Sequence, residues 1–108
     1  MLFLLEVEVE DPLPVPPAEF LQSVVAEWEM FLRHQQRGKV LAGGKLTGRR
    51  GAAAVFEVAD AAEMDRIVTA LPLFRWFSRI RVTPLVAAED ALADARRFLK
   101  LSGAREPR

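Results

Sequence analysis

Few side chains in this sequence are equipped for chemistry at an enclosed site. There is no cysteine and one histidine, His34, so thiol nucleophiles, disulfides, thiolate metal sites and His-rich clusters are excluded. Carboxylates and cations remain. Glu27 stands next to Trp28, and a carboxylate partly desolvated by an indole has a raised pKa, as a general base working near neutral pH requires. Its helical angle lies near the outer face, so a solvated glutamate is the competing reading. Lys45 is the best anion contact: its parity points away from Leu46, and its strand carries Gly43 and Gly44. A surface lysine paired with a neighbour is the alternative. Glu6, Glu8, Arg79 and Arg81 either line an enclosed cavity or pair across a sheet, and pairing is favoured. His34, among Arg33, Gln35 and Gln36, reads as a helix-terminal surface residue.

The elements that must position these groups follow from periodicity and punctuation. Residues 2–10 alternate, with Phe3, Leu5, Val7 and Val9 on one face and Leu2, Leu4, Glu6, Glu8 and Glu10 on the other. The proline-rich stretch 11–17 is an extended connector, with Pro17 suited to a first helical turn. From Ala18 to Arg37, Phe20, Leu21, Val24, Val25, Trp28, Phe31 and Leu32 recur at a 3.6-residue period, closed by Gly38. Strands are expected over 39–47 and 51–59, joined by Gly48-Arg49-Arg50; the two glycines of the first permit a bulge or a close approach. In the second, Ala52-Ala53-Ala54 leaves room for something opposite.

Asp60 with Glu63 three residues on opens a second helix, which Pro72 stops near Leu71. The turn that follows is aromatic: Phe74, Trp76 and Phe77 are three of only nine aromatic residues in the chain. Such a turn packs over the domain's own core, or forms a pocket wall or a subunit contact. Phe3, Phe56, Phe74 and Trp76 are therefore read first as core and second, with Leu71, as pocket lining. A last strand over 79–86 precedes an Ala-rich helix over 89–101 with Leu92, Ala95, Phe98 and Leu99 on one side.

The order is β-α-β-β-α-β plus a C-terminal helix, the ferredoxin-like pattern: an antiparallel four-stranded sheet ordered 4-1-3-2 with both main helices on one face. Residues 1–103 are expected to form this single domain and 104–108 a flexible tail. The sheet order sets Glu6 and Glu8 beside Arg79 and Arg81, which accounts for a net charge of zero from 15 acidic and 15 basic residues. The other sheet face, too apolar near Leu2 to be left in water, calls for a second copy or the last helix as cover; oligomerisation is favoured.

Charge is unevenly spread, with six basic and no acidic residues from Arg33 to Arg50, but the neutral total argues against nucleic-acid binding. The apolar start lacks a basic n-region and runs into Glu6, Glu8 and Glu10, so it does not read as a signal peptide. No apolar run reaches bilayer length, and a cytoplasmic protein is expected.

Several segments resemble the muconolactone delta-isomerase family. They are Met1-Leu2-Phe3 opening a strand, Pro17-Ala18 opening a helix that holds Glu27 and Glu29, the closure from Leu32 to Gly38, Gly48, Val55-Phe56-Glu57-Val58 and, most specifically, Leu71-Pro72-Leu73-Phe74. Residues 1–74 fit the pattern without a gap, and the strand ending Val82-Thr83-Pro84-Leu85 needs one extra residue. The resemblance implies a cytoplasmic enzyme without metal or organic cofactor that moves a double bond in a carboxylate-bearing lactone. It implies a homo-oligomer built from ferredoxin-like dimers forming an α+β barrel, decameric in the archetype. Glu27 matches an acidic family position, and Lys45 stands where the family has Arg.

The chain departs from the pattern where that chemistry sits. A strand segment rich in Trp, Arg and His is here Val40-Leu41-Ala42-Gly43-Gly44-Lys45, and Pro-Tyr after the hinge is Arg75-Trp76. The C-terminal helix is longer than the family's tail. The expectation is proton-transfer isomerisation or a related cyclisation of a small lactone, enol or polyketide-like substrate, larger and less charged than muconolactone. Glu27 and Lys45 are its catalytic candidates; Phe3, Phe56, Leu71, Phe74, Trp76, Arg79 and Arg81 are its substrate-binding candidates. The rival reading is an oligomeric binding or accessory module that has lost the site. Heme or metal handling is disfavoured, because the only histidine lies outside the expected cavity.

Overall fold

Alternation along the first strand sorts the whole sheet. In the computed structural model, which describes residues 1–13 and 15–103, the elements run β1 (Leu2–Val9), α1 (Pro17–Gln36), β2 (Val40–Lys45), β3 (Gly51–Glu57), α2 (Ala61–Thr69), a 3₁₀ turn (Phe74–Trp76), β4 (Phe77–Leu85) and α3 (Ala88–Leu101). The sheet order is β2-β3-β1-β4, every neighbouring pair antiparallel. This is the expected α+β ferredoxin-like arrangement, with boundaries moved by at most two residues. The proposed tail at 104–108 lies outside the described residues.

Phe3, Leu5 and Val7 of β1 are buried with Val40, Ala54, Phe56 and Val58, under Met64 and Val68 of α2. Each large apolar side chain so buried contributes on the order of 1.5–3 kcal/mol. A second cluster unites Phe20, Leu73 and Trp76, with Phe20 and Trp76 meeting edge-to-face at 6.1 Å. The helix α1 reaches the sheet through Phe31 at one end and Phe20 at the other. Asp60 caps α2 as expected: its carboxylate accepts from the Glu63 N–H at 2.8 Å, and Glu63 in turn holds Lys39 at 2.7 Å.

On the far face, Glu6 lies opposite Arg81 and Glu8 opposite Arg79, the adjacency expected from the sheet order. The ion pair of Glu8 goes to Arg49, at 3.2 Å. None of the residues of α3 is buried, and the molecule measures 63 Å along its long axis against 27 and 23 Å across. The last helix therefore does not cover its own sheet. Among the described residues, no helix is long and apolar enough to cross a membrane.

Candidate active site

The strand β2 decides where Lys45 points. Val40 faces the core opposite Phe56, but the next paired residue is Ala42, opposite Val55, so Leu41 is an extra residue in the ladder. The bulge reverses the parity of everything after it. Strict alternation from Val40 would send Lys45 to the open face; instead it sits opposite Ala52, on the helix-covered face. Gly43 makes this passage possible. Its φ is +156°, and a Cβ there would stand 2.6 Å from the Ala53 carbonyl oxygen.

Between the two core clusters lies a cavity of about 260 Å³. Its walls are apolar: Val7 and Val9 from β1, Phe20, Val24 and Trp28 from α1, Leu73 and Phe77 from the hinge. The small residues Gly51 and Ala52 open β3 against it, the vacancy the alanine run suggested. Three ionisable residues reach it: Glu27, Lys45 and Arg50. A side recess of about 40 Å³ continues from Glu27 toward Phe31, His34, Phe56 and Leu71.

Glu27 is held by the hinge. After α2 ends, Phe74 N–H donates to Leu71 C=O and Trp76 N–H to Leu73 C=O, both at 2.9 Å, while Pro72 has no N–H to give. The N–H of Leu73 is thereby turned toward α1, where it donates to Glu27 Oε2 at 2.8 Å. Burial pushes the Glu27 carboxyl above its ordinary 4.5, and this hydrogen bond only partly offsets the rise. Glu27 is thus half-buried, beside Trp28, in an apolar cavity.

The cations wait at the rim. Lys45 lines the cavity, while its ammonium donates to the carbonyls of Leu46 (3.1 Å) and Arg49 (2.8 Å) in the β2–β3 turn. The Arg50 guanidinium donates to Asp11 at 3.2 Å. Both are exposed and anchored weakly enough to turn toward an anionic ligand. Arg50 was not singled out from sequence; its place straight after the Gly48 turn is the signal that could have found it.

Of the other candidates, Phe56 and Leu71 line the side recess, and Trp76 is buried behind Leu73 and Phe20. Phe3 and Phe74 face a separate groove between α2 and β4. Arg79 and Arg81 lie on the open face of the sheet, opposite Glu8 and Glu6, and are not brought to this cavity. His34 is half-buried over Phe56 and lines the recess rather than standing free on the surface. Burial and the nearby Arg37, Arg33 and Lys39 hold its pKa below the ordinary value. Among the described residues no group of three or more acidic or histidine side chains could hold a metal.

Fold and site together define a ferredoxin-like α+β protein with one desolvated carboxylate inside an apolar cavity. The muconolactone delta-isomerase family profile matches residues 1–90. Muconolactone Delta-isomerase 1 of Acinetobacter lwoffii is 30% identical over 90 residues, covering 83% of this chain and 91% of that protein. The crystal structure of a muconolactone isomerase superimposes with a TM-score of 0.72 at 28% identity, over 81% of this chain and 90% of that one. The chain belongs to the muconolactone delta-isomerase family. A 5-chloro-2-hydroxyhydroquinone dehydrochlorinase from Burkholderia phenoliruptrix, solved with 2,5-dihydroxybenzoquinone, shares the fold at a TM-score of 0.61 and 17% identity, over 83% of this chain and 98% of that one.

Proposed function

We propose that this protein is an isomerase that moves a proton within a small unsaturated lactone or enol bound against Glu27. The observation that carries the reading is the Glu27 carboxylate: half-buried, raised in pKa, and fixed by Leu73 N–H in an otherwise apolar cavity. A base of this kind removes a proton from the carbon next to, or conjugated with, a carbonyl. The C–H pair delocalises into a dienolate, and the Glu27 carboxylic acid returns the proton to another carbon of the same conjugated system, so nothing is gained or lost. Lys45 or Arg50, swung in from the rim, would stabilise the enolate oxygen or hold an anionic substituent.

The cavity, near the small end of ligand pockets, which run from roughly 300 to 1,000 Å³, suits a single-ring substrate. Its apolar lining favours one less charged than muconolactone. The family relationship supports an assembly of paired sheets acting without a metal or organic cofactor in the cytoplasm. The test is turnover of a panel of five-membered unsaturated lactones, muconolactone included, by wild type and Glu27→Gln. Conversion of a less polar lactone by wild type only is expected. Conversion of muconolactone as the preferred substrate would contradict the argument from the lost polar strand segment, and full activity in Glu27→Gln would remove Glu27 from the mechanism. Tight lactone binding without turnover would favour a binding module.

A further inference from the structure

The proton transfer makes no use of the side recess that runs on from Glu27. That recess originates in the small residues of β3. Ala52 and Ala54 lie on the helix-covered face, opposite Val7 and Leu5 of β1, with Ala52 beneath the main cavity and Ala54 beneath the recess. Gly43, the partner of Ala54 on β2, adds no side chain beside it. The helix α1 rests on the sheet through Phe20 and Phe31, so these short residues leave a gap under it. Phe31, Phe56 and Leu71 close the gap with aromatic and aliphatic walls, and His34 stands at its far end.

The recess measures about 40 Å³. A group the size of a water molecule takes roughly 10–15 Å³ of such space, so about three heavy atoms fit in a row. Their chemistry is set by the walls. Glu27 and His34 are the only ionisable residues lining the recess. One Glu27 oxygen is already held by Leu73 N–H, and His34, its pKa lowered by burial and nearby cations, is uncharged at neutral pH. Arg33, Arg37 and Lys39 act on His34 from nearby, but none of them lines the recess, and Lys39 is held by Glu63. A carboxylate placed there would face the charge of Glu27 with no cation in the walls to offset it. An apolar group has no such cost.

We propose that the recess is a substituent subsite. On the isomerase reading, on which this rests, the lactone ring lies in the main cavity with its reacting carbon at Glu27. An unbranched alkyl arm of up to three carbons, carried on the neighbouring ring carbon, passes Glu27 and ends over Ala54 between Phe31 and Leu71. The substrate class is then a short-chain alkyl-substituted unsaturated lactone, and Ala54 is a specificity-determining residue. An arm seated in this way also fixes the ring against the base, because fewer orientations remain open to it.

Saturated five-membered lactones bearing arms of none to five carbons test the subsite, with Kd read by calorimetry. They have no double bond to move, so the result does not depend on the reaction. Each methylene taken from water into an apolar space tightens binding roughly fourfold. Kd should therefore fall roughly sixtyfold from the bare ring to the propyl lactone, then level off or rise for butyl and pentyl. The carboxymethyl lactone should bind more weakly than the ethyl lactone. Ala54→Val should remove most of the gain from the arm, and Phe31→Leu should move the limit to a longer arm. Where Ala54→Val does not fold, Phe31→Leu alone decides. A Kd indifferent to the arm, a steady fall through five carbons, or an unmoved limit in Phe31→Leu would overturn the inference. Turnover of the unsaturated counterparts judges the isomerase reading separately. Arm-dependent binding without turnover would contradict the reaction and leave the subsite standing; turnover with a kcat/KM indifferent to the arm would do the reverse.

Discussion

Glu27→Gln keeps the shape of the side chain and an oxygen that can accept from Leu73 N–H, but deletes the charge. Two consequences of opposite sign can be worked from the site. Loss of the general base costs typically 10²–10⁴ in rate, or about 2.7–5.4 kcal/mol of barrier at 1.36 kcal/mol per tenfold. Stability should move the other way. The pKa of Glu27 is raised on balance, so the cost of burying its charge exceeds what the Leu73 N–H returns. A raised carboxyl binds protons in the folded state at a pH where the unfolded chain has released them, so stability falls as pH rises through that window. Well below pH 4.5 wild type carries no penalty, and the penalty grows as the pH rises through the raised folded-state pKa.

The glutamine variant should therefore melt higher than wild type at pH 7–8, and the difference should shrink toward zero as the pH falls to about 4. In a domain of this size each 1 kcal/mol appears as roughly 4–8 °C in Tm. Thermal unfolding of the two proteins from pH 4 to 8 is the assay. A Tm difference that stays constant with pH, or a variant less stable at pH 7, would refute the claim that Glu27 is a desolvated base.

Further outcomes follow from other parts of the site. Arg50→Gln should raise KM for an anionic substrate by roughly ten- to a hundredfold, from the ~1.5–3 kcal/mol of a charged hydrogen bond, with kcat little changed; Asp11→Asn, which releases Arg50, should lower KM, and both are read from steady-state kinetics. Ala52→Leu should fill the cavity and abolish ligand-induced stabilisation in thermal shift at a stability cost of about 1–3 kcal/mol. Deletion of Leu41, the extra residue, should leave Lys45 opposite Ala52 on the helix-covered face and keep its contribution to kcat/KM, whereas Lys45→Ala should remove that contribution and Lys45→Arg should retain most of it. Gly43→Val should lower Tm sharply, because its Cβ would meet the Ala53 carbonyl and Ala54.

Much of the fold was legible because alternation and punctuation agreed. The β1 alternation, the Asp60 cap, Gly38 after α1 and the Pro72 stop each located an element, and the ferredoxin-like strand order set Glu6 and Glu8 beside Arg79 and Arg81. The site was legible only in its parts. Glu27 and Lys45 could be named as candidates, but their convergence depends on a bulge at Leu41 that no local pattern locates, since glycines permit a bulge without requiring one. The Leu73 N–H that fixes Glu27 is a main-chain group, invisible in side-chain patterns. Arg79 and Arg81, plausible as cavity cations, belong to the opposite face once β4 takes its register with β1. The aromatic hinge did two jobs at once: Trp76 closes the core, while Leu73 and Phe77 form the cavity wall.

In the proposed reaction Glu27 shuttles a proton between carbons of a bound unsaturated lactone. Incubating protein and lactone in D₂O and following the ring protons by NMR tests it most directly. Wild type should deplete the proton next to or conjugated with the carbonyl, with deuterium appearing at the reprotonated carbon, and Glu27→Gln should exchange at least a hundredfold more slowly. Exchange that proceeds equally with Glu27→Gln, or no exchange with a lactone shown to occupy the cavity, would contradict it.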